Sequence, residues 1–201
     1  MKCYKLTDAN GMTRGSTQWG ENVTHTAGGN GKRLCSDGWI HFYTDPLIAT
    51  VLNPGHANFG DAQLWEAESS GEELHEALKS GSRSLTTIRR IDSPVISIVQ
   101  KIAFSILCTK EVCNSNYWNT WADNWLTGVD RTYASARAAY DTAYTCVTST
   151  YAASYDYAAF HAIYAARAAD AAAAAYAASY AADANKQIDF VSLVKRAMTY
   201  K

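Results

Sequence analysis

The sequence predicts an α+β protein, a small strand-rich domain over residues 1–91 followed by an alanine-rich helical bundle over residues 92–201. Three observations carry that prediction. Alanine is concentrated, with 24 in the 55 residues from Arg131 to Asn185 against 10 in the other 146. Glycine and proline run the other way, 11 of 12 Gly lying before residue 82 and no Pro following Pro94. Short β-branched and aromatic runs divided by turn residues fill only the first part. With 18 Lys+Arg against 19 Asp+Glu, the net charge of −1 leaves no electrostatic footprint for duplex nucleic acid.

In the first part, Lys2–Leu6 and Met12–Thr17 flank Asn10-Gly11 and predict a hairpin. Gly28-Gly29-Asn30-Gly31 predicts a loop; it lacks the Lys-Ser/Thr of a phosphate loop. Trp39–Thr44 predicts a strand from its aromatic and β-branched content. Asp45 then caps a helix with Pro46 at its first position, running to about Leu52 and closed by Asn53-Pro54-Gly55. Strands are predicted over Asp61–Glu68 and Leu85–Ile91, with acidic helical turns over Ser70–Leu78 between them.

In the second part, Ser93-Pro94 predicts a helix start, and Val95, Ile98, Val99, Ile102, Ile106 and Leu107 follow the 3.6-residue period. The apolar run to Cys108, interrupted by Gln100 and Lys101, is shorter than the roughly 18–20 residues a membrane span needs, which predicts a buried helix and no membrane partner. Asn116–Thr127 predicts another helix, ended by Gly128, with Trp118, Trp121 and Trp125 along one side. Nine of the thirteen tyrosines lie between Arg131 and Asn185, and Tyr140, Tyr144, Tyr151 and Tyr155 make an 11-residue repeat that keeps to one helix face. As a single rod this tract would reach about 80 Å, so it must fold back, with Thr145–Thr150 as the predicted hinge. A last helix is predicted over Asp189–Tyr200, with Phe190, Val191, Val194, Ala197 and Met198 as its apolar face.

The start, Met1-Lys2-Cys3-Tyr4, lacks a secretory apolar run, and five cysteines without Cys-x-x-Cys predict reduced thiols. Both point to a cytosol. No Gly-x-Ser-x-Gly occurs, no carboxylate pair stands out, and none of the five histidines pairs with another at i+3 or i+4. No catalytic set, metal or cofactor is therefore expected, and Cys35 and His41 read as a core thiol and a strand histidine.

Gly38-Trp39-Ile40-His41-Phe42-Tyr43-Thr44-Asp45, with Leu47-Ile48-Ala49 and Leu64-Trp65-Glu66-Ala67, resembles small phage and prophage domains of unknown function. More distantly the same stretch is similar to the ADP-ribosyltransferase fold. That likeness implies a nicotinamide dinucleotide cleft with Tyr43 in its stacking slot. The chain departs from the family at the first strand, which reads Tyr4-Lys5 where the family has His or Arg. Glu66 and Glu68 are the strand-borne candidates for the catalytic acid. Farther on, Phe104–Val112, Trp121-Ala122-Asp123-Asn124-Trp125-Leu126-Thr127-Gly128 and Ala134-Ser135-Ala136-Arg137-Ala138-Ala139 resemble an alanine-rich helical family of phage and bacterial genomes that bears the name immunity protein. The name implies protection by binding.

Candidate ligand-binding residues are Lys5, Arg14, His41, Tyr43 and Arg89 in the first domain and Trp118, Trp121, Arg131 and Arg137 in the second. Arginine beside aromatic rings binds phosphate and stacks on bases, although each arginine also suits an ordinary ion pair. The tryptophan stripe suits either a stacking platform or core packing. The expected function is a non-enzymatic, phage-type counter-defence protein of the host bacterial cytosol. It would sequester a nucleotide-derived immune signal, a cyclic oligonucleotide or ADP-ribose derivative, or block a bacterial defence protein, where the two halves meet. The alternatives are an ADP-ribosyltransferase-like enzyme using NAD and a structural helical homo-oligomer.

Overall fold

The computed structural model of the chain describes the backbone of residues 1–147, 154–185 and 187–201, with the side chains of all of these except 142–147, 154–156 and 167. It is an α+β fold with two compact units, one of Met1–Asn53 and Ala57–Val95, the other of Pro54–His56 and Ile96–Lys201.

In the first unit, β1 (Lys2–Thr7), β6 (Gln63–His75), β7 (Ser80–Ile91) and β4 (Val23–Thr26) form an antiparallel sheet in that order. A fifth strand, β5 (Ile40–Phe42), pairs with Ser80–Ser82 of β7, beyond the stretch that β4 occupies. Cys3, Trp19, Phe42, Ala67 and Leu85 pack together as core, with Ile40 against them. The hairpin expected over Lys2–Thr17 is a different one: β2 (Met12–Thr13) pairs with β3 (Thr17–Gln18), while β1 takes β6 as its partner. The longer β6 ladder outweighs a local pairing because it places Cys3 opposite Ala67 and Lys5 opposite Trp65, all buried.

The helical turns expected over Ser70–Leu78 are also replaced. Strand β6 continues to His75, with Glu73, Leu74 and His75 opposite Ser82, Gly81 and Ser80. Gly71, at φ +80°, takes up the register shift between Ser70 and Glu73. The acidic side chains that suit a helix start bond within the hairpin instead, Glu72 to Arg83 at 3.1 Å and Glu73 to Ser69 and His75.

Helix α1 (Pro46–His56) starts as expected, Asp45 accepting from the Leu47 N–H, but it runs through Pro54 instead of stopping before it. The exit is fastened by Asn53, whose side chain both donates to the Phe59 carbonyl and accepts from its N–H.

The second unit is helical. Helix α2 (Ile98–Lys110) begins four residues later than Pro94 suggests, because Ser97 and Gln100 form a reciprocal capping box. Val95, assigned to the apolar stripe, is 96% exposed. From Ile102 to Thr109 every α2 residue is buried, as befits a helix packed against α5 (Ser154–Ala168), α6 (Ala171–Ala184) and α7 (Phe190–Ala197). Helix α3 (Asn116–Thr127) has the expected bounds, capped by Ser115 and ended by Gly128 at φ +76°. Helix α4 (Tyr133–Val147) packs on α5. Of the expected hinge Thr145–Thr150, residues 148–150 lie outside the described residues, as do the side chains of Tyr144, Tyr151 and Tyr155.

A turn that the sequence reading did not anticipate separates α5 from α6. Ala169 takes φ +51° there, and Asp170 caps α6 by accepting from Ala172 and Ala173. Seven alanines of α6 are buried, including Ala174, Ala178 and Ala181. With only a methyl at each position, helix backbones can approach closely, so the alanine tract is packing surface. Among the described residues no helix is long and apolar enough to cross a membrane.

Candidate functional site

The expected site residues fall in five different surroundings. Lys5 and His41 do meet in the interior of the first unit: Lys5 Nζ donates to the His41 carbonyl at 2.7 Å and lies 5.1 Å from the centre of the Trp19 ring. Burial lowers the ammonium to a pKa of about 8. The His41 ring nitrogen Nε2 bonds the Leu34 carbonyl at 2.5 Å, and burial holds its pKa below 6.5. Tyr43 pairs with Tyr4 through both backbone bonds, and burial pushes its hydroxyl up to about 12.

Arg89 belongs to the other face of the sheet. Glu66 stands opposite Tyr4 on β1 and Arg89 on β7, one residue out of step with the Trp65–Lys5 pair. Its carboxylate holds Lys2 at 2.5 Å and Arg89 at 2.7 Å. The Lys2 hydrogen bond, with Arg89 beside it, keeps the Glu66 pKa below its ordinary value. Arg14 is exposed between β2 and β3. Cys35 is exposed and accepts from Lys79 Nζ at 2.8 Å, so it is not the core thiol the sequence suggests and it does not pair with His41.

In the second unit, Trp118, Trp121 and Trp125 are all buried, and the Trp118 and Trp121 rings lie 5.1 Å apart. The stripe is core packing, and its faces are closed to a stacking ligand. Arg131 stacks on Trp125 at 4.6 Å and donates to the carbonyls of Trp125 and Lys201, so it caps the end of α3. Arg137 is exposed on α4.

A recess that none of these residues lines opens at the α5–α6 turn. It measures about 220 Å³ and is bounded by Phe160, His161 and Tyr164 of α5, Asp170 of the turn, and Ala172, Ala173 and Tyr176 of α6. Helical spacing explains it. Phe160 and Tyr164 are four apart and share a face, while Ala172 and Ala173 offer only methyls opposite them, so bulky walls meet a floor too small to fill the gap. A second aromatic layer steadies the walls: Tyr140 packs on Phe160 at 4.9 Å, and Tyr180 stacks on Tyr157 at 5.2 Å.

His161 is central to that layer. Its ring lies 5.3 Å from Tyr180 and 5.7 Å from Tyr176. Burial lowers its pKa below the ordinary 6.5 and the Asp170 charge only partly opposes this, which favours the neutral imidazole. The residues of the recess that carry polar groups are thus His161, two tyrosines and Asp170, although its exposed lining is almost wholly apolar. Among the described residues the lining has no cation for a phosphate, and it suits the face of a flat ring. Histidine and aspartate in an alanine tract are the signals a sequence reader could have weighed. Their convergence depends on the turn at Ala169.

No protein family, curated protein or solved structure matches the chain.

Proposed function

We propose that this chain is a non-enzymatic binding protein whose α5–α6 recess takes the base of a nucleotide-derived ligand, an ADP-ribose derivative or a cyclic oligonucleotide, and so sequesters it. The observation that carries the reading is the recess itself: three aromatic walls, a small-residue floor and a carboxylate in about 220 Å³. That volume lies below the roughly 300–1,000 Å³ of sites that engulf a whole drug-sized molecule. It admits one ring system, leaving sugar and phosphates outside, away from the Asp170 charge. The counter-defence setting rests on the phage-type resemblances of Gly38–Asp45 and Trp121–Gly128.

The NAD-using alternative is disfavoured by the first unit. Tyr43 is 8% exposed, which leaves its ring no open face for nicotinamide, and Glu66 is held in two ion pairs. Calorimetric titration of the full chain with ADP-ribose and with cyclic dinucleotides of each base tests the proposal. Binding by a panel member, weakened tenfold or more by Tyr176→Ala, is expected. Absence of binding across the panel overturns it.

A further inference from the structure

We infer that the recess takes adenine in preference to the other common bases, because it ranks rings by the water their polar groups must give up. The inference rests on the reading of the recess as a base site. Phe160, Tyr164 and Tyr176 bound the recess together with Ala172 and Ala173, and its exposed lining is almost wholly apolar. Asp170 also bounds it, but its carboxylate serves as the cap of α6, accepting from the N–H groups of Ala172 and Ala173. A surface of this kind rewards ring area and returns no hydrogen bond to a polar group that enters.

Two quantities then set the order of the bases. The first is ring area: every base has a π-face, and a fused purine covers more apolar surface than a single-ring pyrimidine. The second is the number of polar groups stripped of water without a new partner, each of which costs a factor of roughly 5–150 in affinity. Linked through its glycosidic nitrogen, adenine carries an amine as its sole exocyclic group and has no ring N–H. Guanine adds a carbonyl and a ring N–H to its amine. Cytosine and uracil each bring a pair of exocyclic groups on one small ring. Adenine therefore combines the larger area with the lightest polar load. By the same reasoning its amine contributes no affinity, and a purine without that amine loses nothing by entering.

The experiment is a calorimetric titration of the full chain with adenosine, purine riboside, guanosine and uridine, in which the Ala172 and Ala173 methyl resonances locate each ligand. Adenosine is expected to bind about tenfold or more tightly than guanosine or uridine. Purine riboside, which lacks the amine, is expected to bind at least as tightly as adenosine, and both should shift the two methyls. Guanosine or uridine binding as tightly as adenosine at those methyls overturns the inference while the base-site reading stands. Purine riboside binding about tenfold more weakly than adenosine does the same, since it would place a partner for the amine in the recess. Binding that moves neither methyl overturns both the inference and the reading beneath it. Failure of all four nucleosides to bind overturns both as well. The ranking is read on the unaltered chain, so it does not depend on a variant that folds.

Discussion

The imidazole of His161 lies nearly parallel to the ring of Tyr180, with centroids 5.3 Å apart and planes 12° apart. This stack joins α5 to α6 beside the recess and shields part of the imidazole from water. Burial favours the neutral ring, so the native pKa lies below the unfolded 6.5. The native state therefore holds fewer protons than the unfolded chain as pH falls below 6.5, and the stability this histidine contributes above that value is lost through the depressed native pKa. Tyr180→Ala opens the ring to solvent. The His161 pKa is expected to rise toward 6.5, read from the imidazole carbon-bound protons in an NMR pH titration, and an unchanged value would contradict the stack.

Lys5 offers a linkage at the other end of the pH scale. Its ammonium is buried, with the His41 carbonyl and the Trp19 ring as partners, and its pKa falls from 10.5 to about 8. Between those values the unfolded chain holds the proton that the native protein has released, so stability should rise as pH is raised through that window. At pH 7 the buried charge costs about 3 kcal/mol, from the shift multiplied by 1.36 kcal/mol per unit. Lys5→Met removes that cost and leaves the His41 carbonyl without its donor, a loss of about 1 kcal/mol. Urea denaturation at pH 7 should show a gain of about 2 kcal/mol that shrinks by pH 10. A net loss at pH 7 would contradict this account.

Ala169 is strained. It takes φ +51°, a region in which a Cβ costs roughly 1–2 kcal/mol. Among the described residues, the other non-glycines in that region, Ser16, Asn22, Asn58 and Asp61, carry short polar side chains that suit it better. Ala169→Gly should stabilise the protein by about 1 kcal/mol and raise the melting temperature by about 2–4 °C in a calorimetric scan. A lower melting temperature would place the turn in another conformation.

The tryptophans of α3 are structural. Trp118 is 3% exposed and packs on Trp121. Trp118→Ala should cost about 3–5 kcal/mol in denaturant unfolding. A variant of native stability would show that the ring is not core.

How much of this could be read in the sequence differs from element to element. The bounds of α3 were legible because Ser115 and Gly128 are local signals that act within a turn of the helix. Asp45-Pro46 marked the start of α1 for the same reason. The strand from Ser70 to His75 was not legible, since its acidic residues suit a helix start and only pairing with β7 overrides that preference. Lys5 and His41 were named as neighbours for a ligand; in the fold they are neighbours of each other. The recess was hidden because it exists only after α5 and α6 turn back at Ala169, a residue with no turn-forming chemistry of its own. Composition did mark the tract as closely packed helix, and it is there that the fold leaves space.

The most direct test of the central claim is a site-resolved NMR titration of the full chain with adenosine. Adenosine should shift the Ala172 and Ala173 methyls and the ring protons of His161 and Tyr176, and Tyr176→Ala should weaken that response at least tenfold. Adenosine shifts confined to residues outside the recess, or none at all, would contradict it.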